Sequence, residues 1–212
     1  MEILDAIVRA LRDPGDLIRW GGYPAMTLIV FLETGALVFF LPGDSLLVVA
    51  GLYASRGELS LLLLNALLVP AAVLGDACSY ALGKRGGPRL FSRPRSRLFR
   101  PEHLKAAHDF YERHGGVTIV LARFIPVLRT FVPVVAGMAQ MGYPRFALYN
   151  VAGGVLWVLS MTLTGYYLGS LVPGIERHIE KVIGIVVALS ILPAVVGWVR
   201  TRAKARGKTR SP

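Results

Sequence analysis

Two membrane-length apolar stretches in this chain are each interrupted by proline, and each carries charges of one sign. Residues 28–54 hold Glu33 and Asp44 on either side of the Pro42-Gly43 pair, and residues 117–139 hold Arg123 and Arg129 around Pro126 and Pro133. An ionisable group at the centre of a membrane helix costs about 2.5–3.5 kcal/mol, so such groups turn inward, find partners and usually mark a pathway or a paired site. Proline removes a backbone donor and breaks helix geometry. Broken backbone is tolerated at membrane depth where protein or a water-filled cavity covers it. Acids in one broken stretch and bases in the other therefore point to a single polar site built from both.

Composition agrees with a membrane setting. Of 212 residues, 54% are hydrophobic and 17% are charged, with a mean hydropathy of +0.54, values of an integral membrane protein of one domain. The net charge of +11 is concentrated in two clusters, nine Lys/Arg between Lys84 and Arg113 and six between Arg200 and Arg210. Both flank apolar segments, as the positive-inside rule requires. A nucleic-acid partner would need a soluble basic face, and none is visible. Cys78 is the single cysteine, so no internal disulfide is expected, and it has no second sulfur for a metal site. His103, His108 and His114 are five and six apart, unlike a helical metal pair. No metal and no cofactor are expected. The N-terminus carries Glu2 and Asp5 before its first arginine, which is not the pattern of a secretory signal.

Along the chain, residues 1–13 read as an amphipathic helix ended by Pro14-Gly15. Residues 23–54 are the first broken stretch, 60–83 a full span, and 84–116 a basic cytoplasmic loop with an amphipathic helix that stops at Gly115-Gly116. The second broken stretch follows at 117–140, then spans at 145–172 and 182–199 and a basic cytoplasmic tail at 200–212. If loop and tail are both cytoplasmic, an even number of crossings separates them. The last two spans already supply two, so 117–140 is expected to be a re-entrant hairpin; a kinked full span with an exported tail is the alternative.

An internal repeat strengthens this reading. Val48-Val49-Ala50-Gly51 recurs as Val134-Val135-Ala136-Gly137, and at the same offset of 86 Tyr80, Leu82 and Gly83 match Tyr166, Leu168 and Gly169. Each half is a broken stretch followed by a span. With one crossing between them, the halves enter from opposite faces, an inverted-topology repeat with its site near the midplane. The expected fold is thus an all-α membrane protein, each half a re-entrant broken-helix hairpin plus a transmembrane helix, with an extra C-terminal transmembrane helix and short amphipathic helices. Gly43 corresponds to Arg129 and Asp44 to Thr130, so the acidic and basic tips occupy equivalent places and should face each other.

The residue types suggest roles. A carboxylate at Glu33 is costly to ionise unless a cation pairs with it. Asp44 follows a turn that leaves backbone N–H groups free. Either acid could load a proton, or both could serve only to neutralise the arginines. Guanidinium forks bind phosphate bidentately and stay charged, so Arg123 and Arg129 are candidates for an anionic headgroup. Asp76 could pair with the basic loop or line the path, while Tyr80, Asn150 and Trp157 read as packing or interfacial residues.

The Glu33 stretch with its Pro-Gly-Asp turn, the segment GDACSYALGKRGG and the segment ARFIPVLRTFVPVVAG together resemble the DedA family, whose core domain is shared with eukaryotic lipid scramblases. The resemblance covers roughly residues 20–200. It implies a bacterial inner-membrane protein that moves phospholipids or polyprenyl-phosphate carriers, in some members with dependence on the proton-motive force, and it maps the family's important charges onto Glu33, Asp44, Arg123 and Arg129. The leading expectation is a flippase for an anionic lipid, undecaprenyl phosphate first and a phospholipid such as phosphatidylethanolamine second. The alternative is a proton-coupled transporter of a small ion or solute. A homo-oligomer is also open. An enzyme is disfavoured, because lipid phosphatase chemistry needs a nucleophile or general base, typically histidine, and no membrane-embedded segment holds one.

Overall fold

The computed structural model describes residues 14–35, 43–91 and 116–172. The expected amphipathic helix at 1–13, the Pro42 break, the body of the basic loop, the span at 182–199 and the tail lie outside the described residues. Every regular element among those described is a helix: α1 Pro14–Gly35, α2 Gly43–Ser55, α3 Leu61–Phe91, α4 Val117–Ala122, α5 Pro126–Met138 and α6 Tyr143–Leu171.

Two of these, Leu61–Gly86 within α3 and Tyr143–Leu171, are long and apolar enough to cross a bilayer. They coincide with the spans expected at 60–83 and 145–172, except that α3 continues as helix to Phe91, into the expected loop. Lys84 and Arg85 are exposed there, and Lys84 Nζ lies 6.0 Å from the centroid of the Tyr80 ring one turn back.

The two broken stretches form helix pairs. In the first, α1 begins at Pro14, where a missing N–H costs nothing, and kinks at Gly22 (φ 53°) ahead of Pro24. A proline inside a helix forfeits a hydrogen bond and clashes with the preceding turn; glycine absorbs the kink because positive φ carries no Cβ penalty. The kink at Gly22 separates the first turns of α1 from the segment that begins at Tyr23. Tyr23 Oη accepts a hydrogen bond from Ser60 N (2.6 Å), which fixes this end beside the start of α3. At the other end Gly35 packs on Gly75, and Ser79 Oγ donates to Thr34 O (2.8 Å). α2 then returns from Gly43 to Ser55, close to Ser60. At 1.5 Å per residue its length is about 20 Å, short of the ~30 Å apolar core of a bilayer.

In the second stretch, α4 and α5 are separated by a turn at Arg123–Ile125, with Pro126 opening α5. Phe124 N and Ile125 N donate to Leu121 O and Ala122 O (3.2 and 3.0 Å), the i→i−3 pattern that closes a helix. Pro133, expected to break the chain, is accommodated inside α5. The α5 end is fixed to α3, where Tyr80 Oη donates to Met141 O and the Tyr80 ring stacks on Phe146 at 4.4 Å.

Packing between the halves is exchanged. The first arm of each pair lies on the long helix of its own half, α1 on α3 and α4 on α6. The second arm crosses to the long helix of the other half, α2 on α6 and α5 on α3. Glycines permit these crossings. A Cβ on Gly51 would stand 2.0 Å from Thr162 O, and one on Gly137 2.1 Å from Tyr80 O. The Val-Val-Ala-Gly repeat thus marks equivalent backbone-to-backbone contacts in the two halves.

Candidate functional site

The site grows out of the two breaks. α2 begins at Gly43, so Asp44 sits in its first turn, where the helix dipole favours an acid. α5 begins at Pro126 and carries Arg129 in its first turn, which the same dipole disfavours. The charge must be compensated by neighbours, and it is. Arg129 Nη1 donates to Asp44 Oδ1 (2.6 Å), and Arg129 Nη2 pairs with Glu33 Oε1. The opposite charges of the two stretches therefore meet, tip to tip, across the halves.

This cluster is largely buried. Glu33 has no exposure, Arg129 is 3% exposed and the Asp44 side chain 12%. Glu33 Oε2 lies against the α2 N-terminus so closely that a Cβ on Gly43 would come within 1.7 Å of it. Glycine at position 43 thus leaves room for the Glu33 carboxylate. Trp157, midway along α6, closes the cluster. Its Nε1 donates to Asp44 Oδ1 (2.9 Å), and Arg129 Cζ lies 4.7 Å from its ring centroid, a cation–π distance.

Arg123 is held in a second cluster. It occupies the turn between α4 and α5 and is 2% exposed. Its Nη2 pairs with Asp76 and reaches Ala72 O (3.2 Å), while Nη1 donates to Asn150 O (2.7 Å). Asn150 Nδ2 donates in turn to Val73 O (3.0 Å), tying α6 to α3 beside the guanidinium. Gly154 leaves room for the arginine, since a Cβ there would approach Nη1 to 2.6 Å. Asp76 also lies close enough to Arg129 to act on it electrostatically, so the clusters are coupled.

The structure thus brings together Glu33, Asp44 and Arg129, and separately Asp76 and Arg123. Gly43 and Pro126 stand at the breaks. Asp76 pairs with Arg123 rather than with the basic loop. Trp157 and Asn150, read as packing or interfacial residues, are members of the two clusters. The signal that could have found them is slight: single polar groups in the middle of a long apolar helix. Several buried atoms have no hydrogen-bond partner among the described residues: Glu33 Oε2, Asp76 Oδ1, Asn150 Oδ1 and the Nε atoms of both arginines. Among the described residues no group of histidine, cysteine and carboxylate side chains could hold a metal. Chemically, the site sets two guanidinium groups, of a type that donates in pairs to oxyanions, against three carboxylates.

The VTT domain matches residues 41–167. The chain is 47% identical over 188 residues to the protein DedA of Escherichia coli K12, covering 87% of this chain and 85% of that one. It is 42% identical over 184 residues to an uncharacterized membrane protein of Mycobacterium leprae (86% and 82% covered), and 35% identical over 178 residues to the inner membrane protein YqjA of E. coli K12 (82% and 80%). No solved structure matches the chain.

Proposed function

The chain belongs to the DedA family of VTT-domain membrane proteins, and from that premise we propose that it transports an anionic lipid headgroup across the bilayer, undecaprenyl phosphate being the favoured substrate. The observation that carries this reading is Arg129, buried between Glu33 and Asp44 at the point where two helix breaks meet. A purely stabilising role is a poor reason for such a cluster, because buried ion pairs contribute little more than apolar packing of the same volume. Guanidinium groups able to trade a carboxylate for a phosphate give it a use.

In this reading the α1–α2 and α4–α5 pairs are re-entrant hairpins entering from opposite faces. Support comes from their lengths and anchors: Tyr23 of α1 bonds Ser60 at the start of α3, α2 ends five residues before Ser60, and α5 ends beside Tyr80 toward the opposite end of α3. The halves then form an inverted repeat whose exchanged packing lets the second arm of each hairpin ride on the other half's span. The phosphate passes between Arg123 and Arg129 near the midplane while the prenyl tail stays in lipid. Glu33 and Asp44 neutralise Arg129 when it is empty and accept protons when it is occupied.

The inner membrane is the proposed location, with loop and tail cytoplasmic. A second reading, proton-coupled transport of a small ion or solute, draws on the surplus of acid around Arg129, two carboxylates to one guanidinium. Reconstitution separates the two. Proteoliposomes should flip a labelled polyprenyl phosphate, and Arg129→Ala should abolish flipping while the protein still inserts and remains folded. Undiminished flipping by that variant rules against the site. Collapse of a solute gradient without lipid movement selects the second reading.

A further inference from the structure

Asp76 and Arg123 form the buried pair whose charges cancel one to one, which sets them apart from the acid-rich cluster at Arg129. Resting on the lipid-phosphate reading above, we propose that Asp76 is the displaceable counter-ion of Arg123 and accepts one proton each time a phosphate monoester takes its place.

The geometry favours exchange at this position. Arg123 lies on the turn between two helices, secured by i→i−3 bonds (Arg123 N to Val120 O, 3.3 Å), not in the body of either. Exposed Leu121 and Phe124 flank it. Movement of this turn frees the guanidinium from α3 without unwinding a span. Two of the guanidinium's three hydrogen bonds are to the backbone carbonyls of Asn150 and Ala72; these keep it oriented when the carboxylate leaves. At Arg129, by contrast, an incoming anion meets two carboxylates and a tryptophan ring.

Charge conservation dictates what Asp76 does next. It is 2% exposed, and a buried carboxylate stripped of its cation is expensive to leave ionised. The charged groups acting on it are Arg123 from the turn and Arg129 from α5. Asn150 of α6 is the uncharged polar residue beside the pair, and Glu33 of α1 is engaged by Arg129. A phosphate monoester loses its second proton at a pKa of about 6. As a monoanion it transfers that proton to Asp76 and docks on Arg123 as a dianion, so the charge of the site plus ligand is unchanged. As a dianion it requires the proton from water. A proton on Asp76 also gives a donor to a site with unsatisfied acceptors, since Asp76 Oδ1 and Asn150 Oδ1 are both buried without partners among the described residues. A phosphodiester has no such proton to give.

The test is binding of radiolabelled farnesyl phosphate to the full-length protein in phosphatidylcholine nanodiscs between pH 6 and 8.5, with proton uptake followed by an indicator dye. For the native protein, affinity should fall about tenfold per pH unit above pH 7, with one proton taken up per ligand bound, as linkage requires. Asp76→Asn keeps the shape and removes the titrating competitor. It should bind at least as tightly, with no pH slope and no proton uptake. A native slope that persists in Asp76→Asn, or binding by the native protein without proton uptake, overturns the proposal and leaves the lipid-phosphate reading standing. Absence of farnesyl phosphate binding by the native protein overturns both. Even if the variant fails to fold, binding by the native protein with no proton taken up overturns the proposal.

Discussion

Trp157 Nε1 and Arg129 Nη1 converge on one oxygen, Asp44 Oδ1, at 2.9 and 2.6 Å, while the indole ring lies 4.7 Å from the guanidinium carbon. The tryptophan thus holds both members of the ion pair it covers. Trp157→Phe removes the donor and keeps an aromatic face; the loss of one hydrogen bond to a charged group should lower stability by about 1.5–3 kcal/mol. Trp157→Ala adds the loss of a fully buried side chain and should cost more, roughly 3–5 kcal/mol for the truncation alone. Denaturant unfolding in detergent micelles measures both. Equal effects from the two variants would mean that the N–H contributes nothing.

Removing charges at Arg129 should be asymmetric. Arg129→Met strips the cation from two buried acids and should destabilise by about 3–5 kcal/mol, the cost of an uncompensated buried charge. Asp44→Asn leaves Arg129 paired with Glu33 and retains an acceptor for Trp157, so it should cost clearly less. The same unfolding series, run with Arg129→Met and Asp44→Asn together, should show the double variant less destabilised than the sum of the singles.

The glycines at the exchanged contacts are expected to resist any side chain. In Gly51→Ala and Gly137→Ala the new Cβ meets backbone carbonyls at 2.0 and 2.1 Å, atoms that cannot move without separating helices. Each substitution should cost about 1–3 kcal/mol or more. Gly142 has ordinary φ and nothing within 4 Å, so Gly142→Ala meets no steric obstacle and should cost less than either, about the N-cap preference for glycine over alanine. Yield of monodisperse protein and its thermal midpoint will rank the three.

Much of this was legible beforehand. Glu33, Asp44, Arg123 and Arg129 stood out because charge inside apolar runs is rare, and Pro42-Gly43 and Pro126 because they punctuate. The 86-residue offset located Gly51 and Gly137, although not what they touch. Partner choice was not legible: nothing in the spacing joins Asp76 to Arg123, because that pairing depends on α4 lying on α6 and α5 crossing to α3. Trp157 and Asn150 escaped for the same reason. An indole or an amide in a long apolar helix looks alike whether it faces lipid or a buried ion pair. Pro133 misled in the opposite direction, since a helix covered by neighbours can carry an internal proline.

The re-entrant reading makes a statement about sides. Glu58 lies in the turn between α2 and α3, whereas Lys84 and Gly142 lie toward the far end of α3 and before α6; all three are exposed. Single cysteines at 84 and 142, in a Cys78→Ser background, should react with an impermeant maleimide from one face of the membrane. A cysteine at 58 should react from the other. Labelling of 84 and 142 from opposite faces would make 117–140 a full crossing.

The exchanged packing can be trapped covalently. Ser55, at the end of α2, faces Gly169 near the end of α6, and a Cβ built at 169 stands 3.1 Å from Ser55 Cβ. Disulfides bridge Cβ atoms about 3.5–4.5 Å apart, so a shift of a few tenths of an ångström suffices. Ser55→Cys with Gly169→Cys, again in a Cys78→Ser background because Cys78 is exposed, should form an intramolecular bond under mild oxidant. With a protease site placed between residues 92 and 115, the two halves should then co-migrate after cleavage and separate on reduction. Halves that separate without reductant would show that α2 does not reach the second half's span, and the tip-to-tip meeting of Asp44 with Arg129 would lose its scaffold.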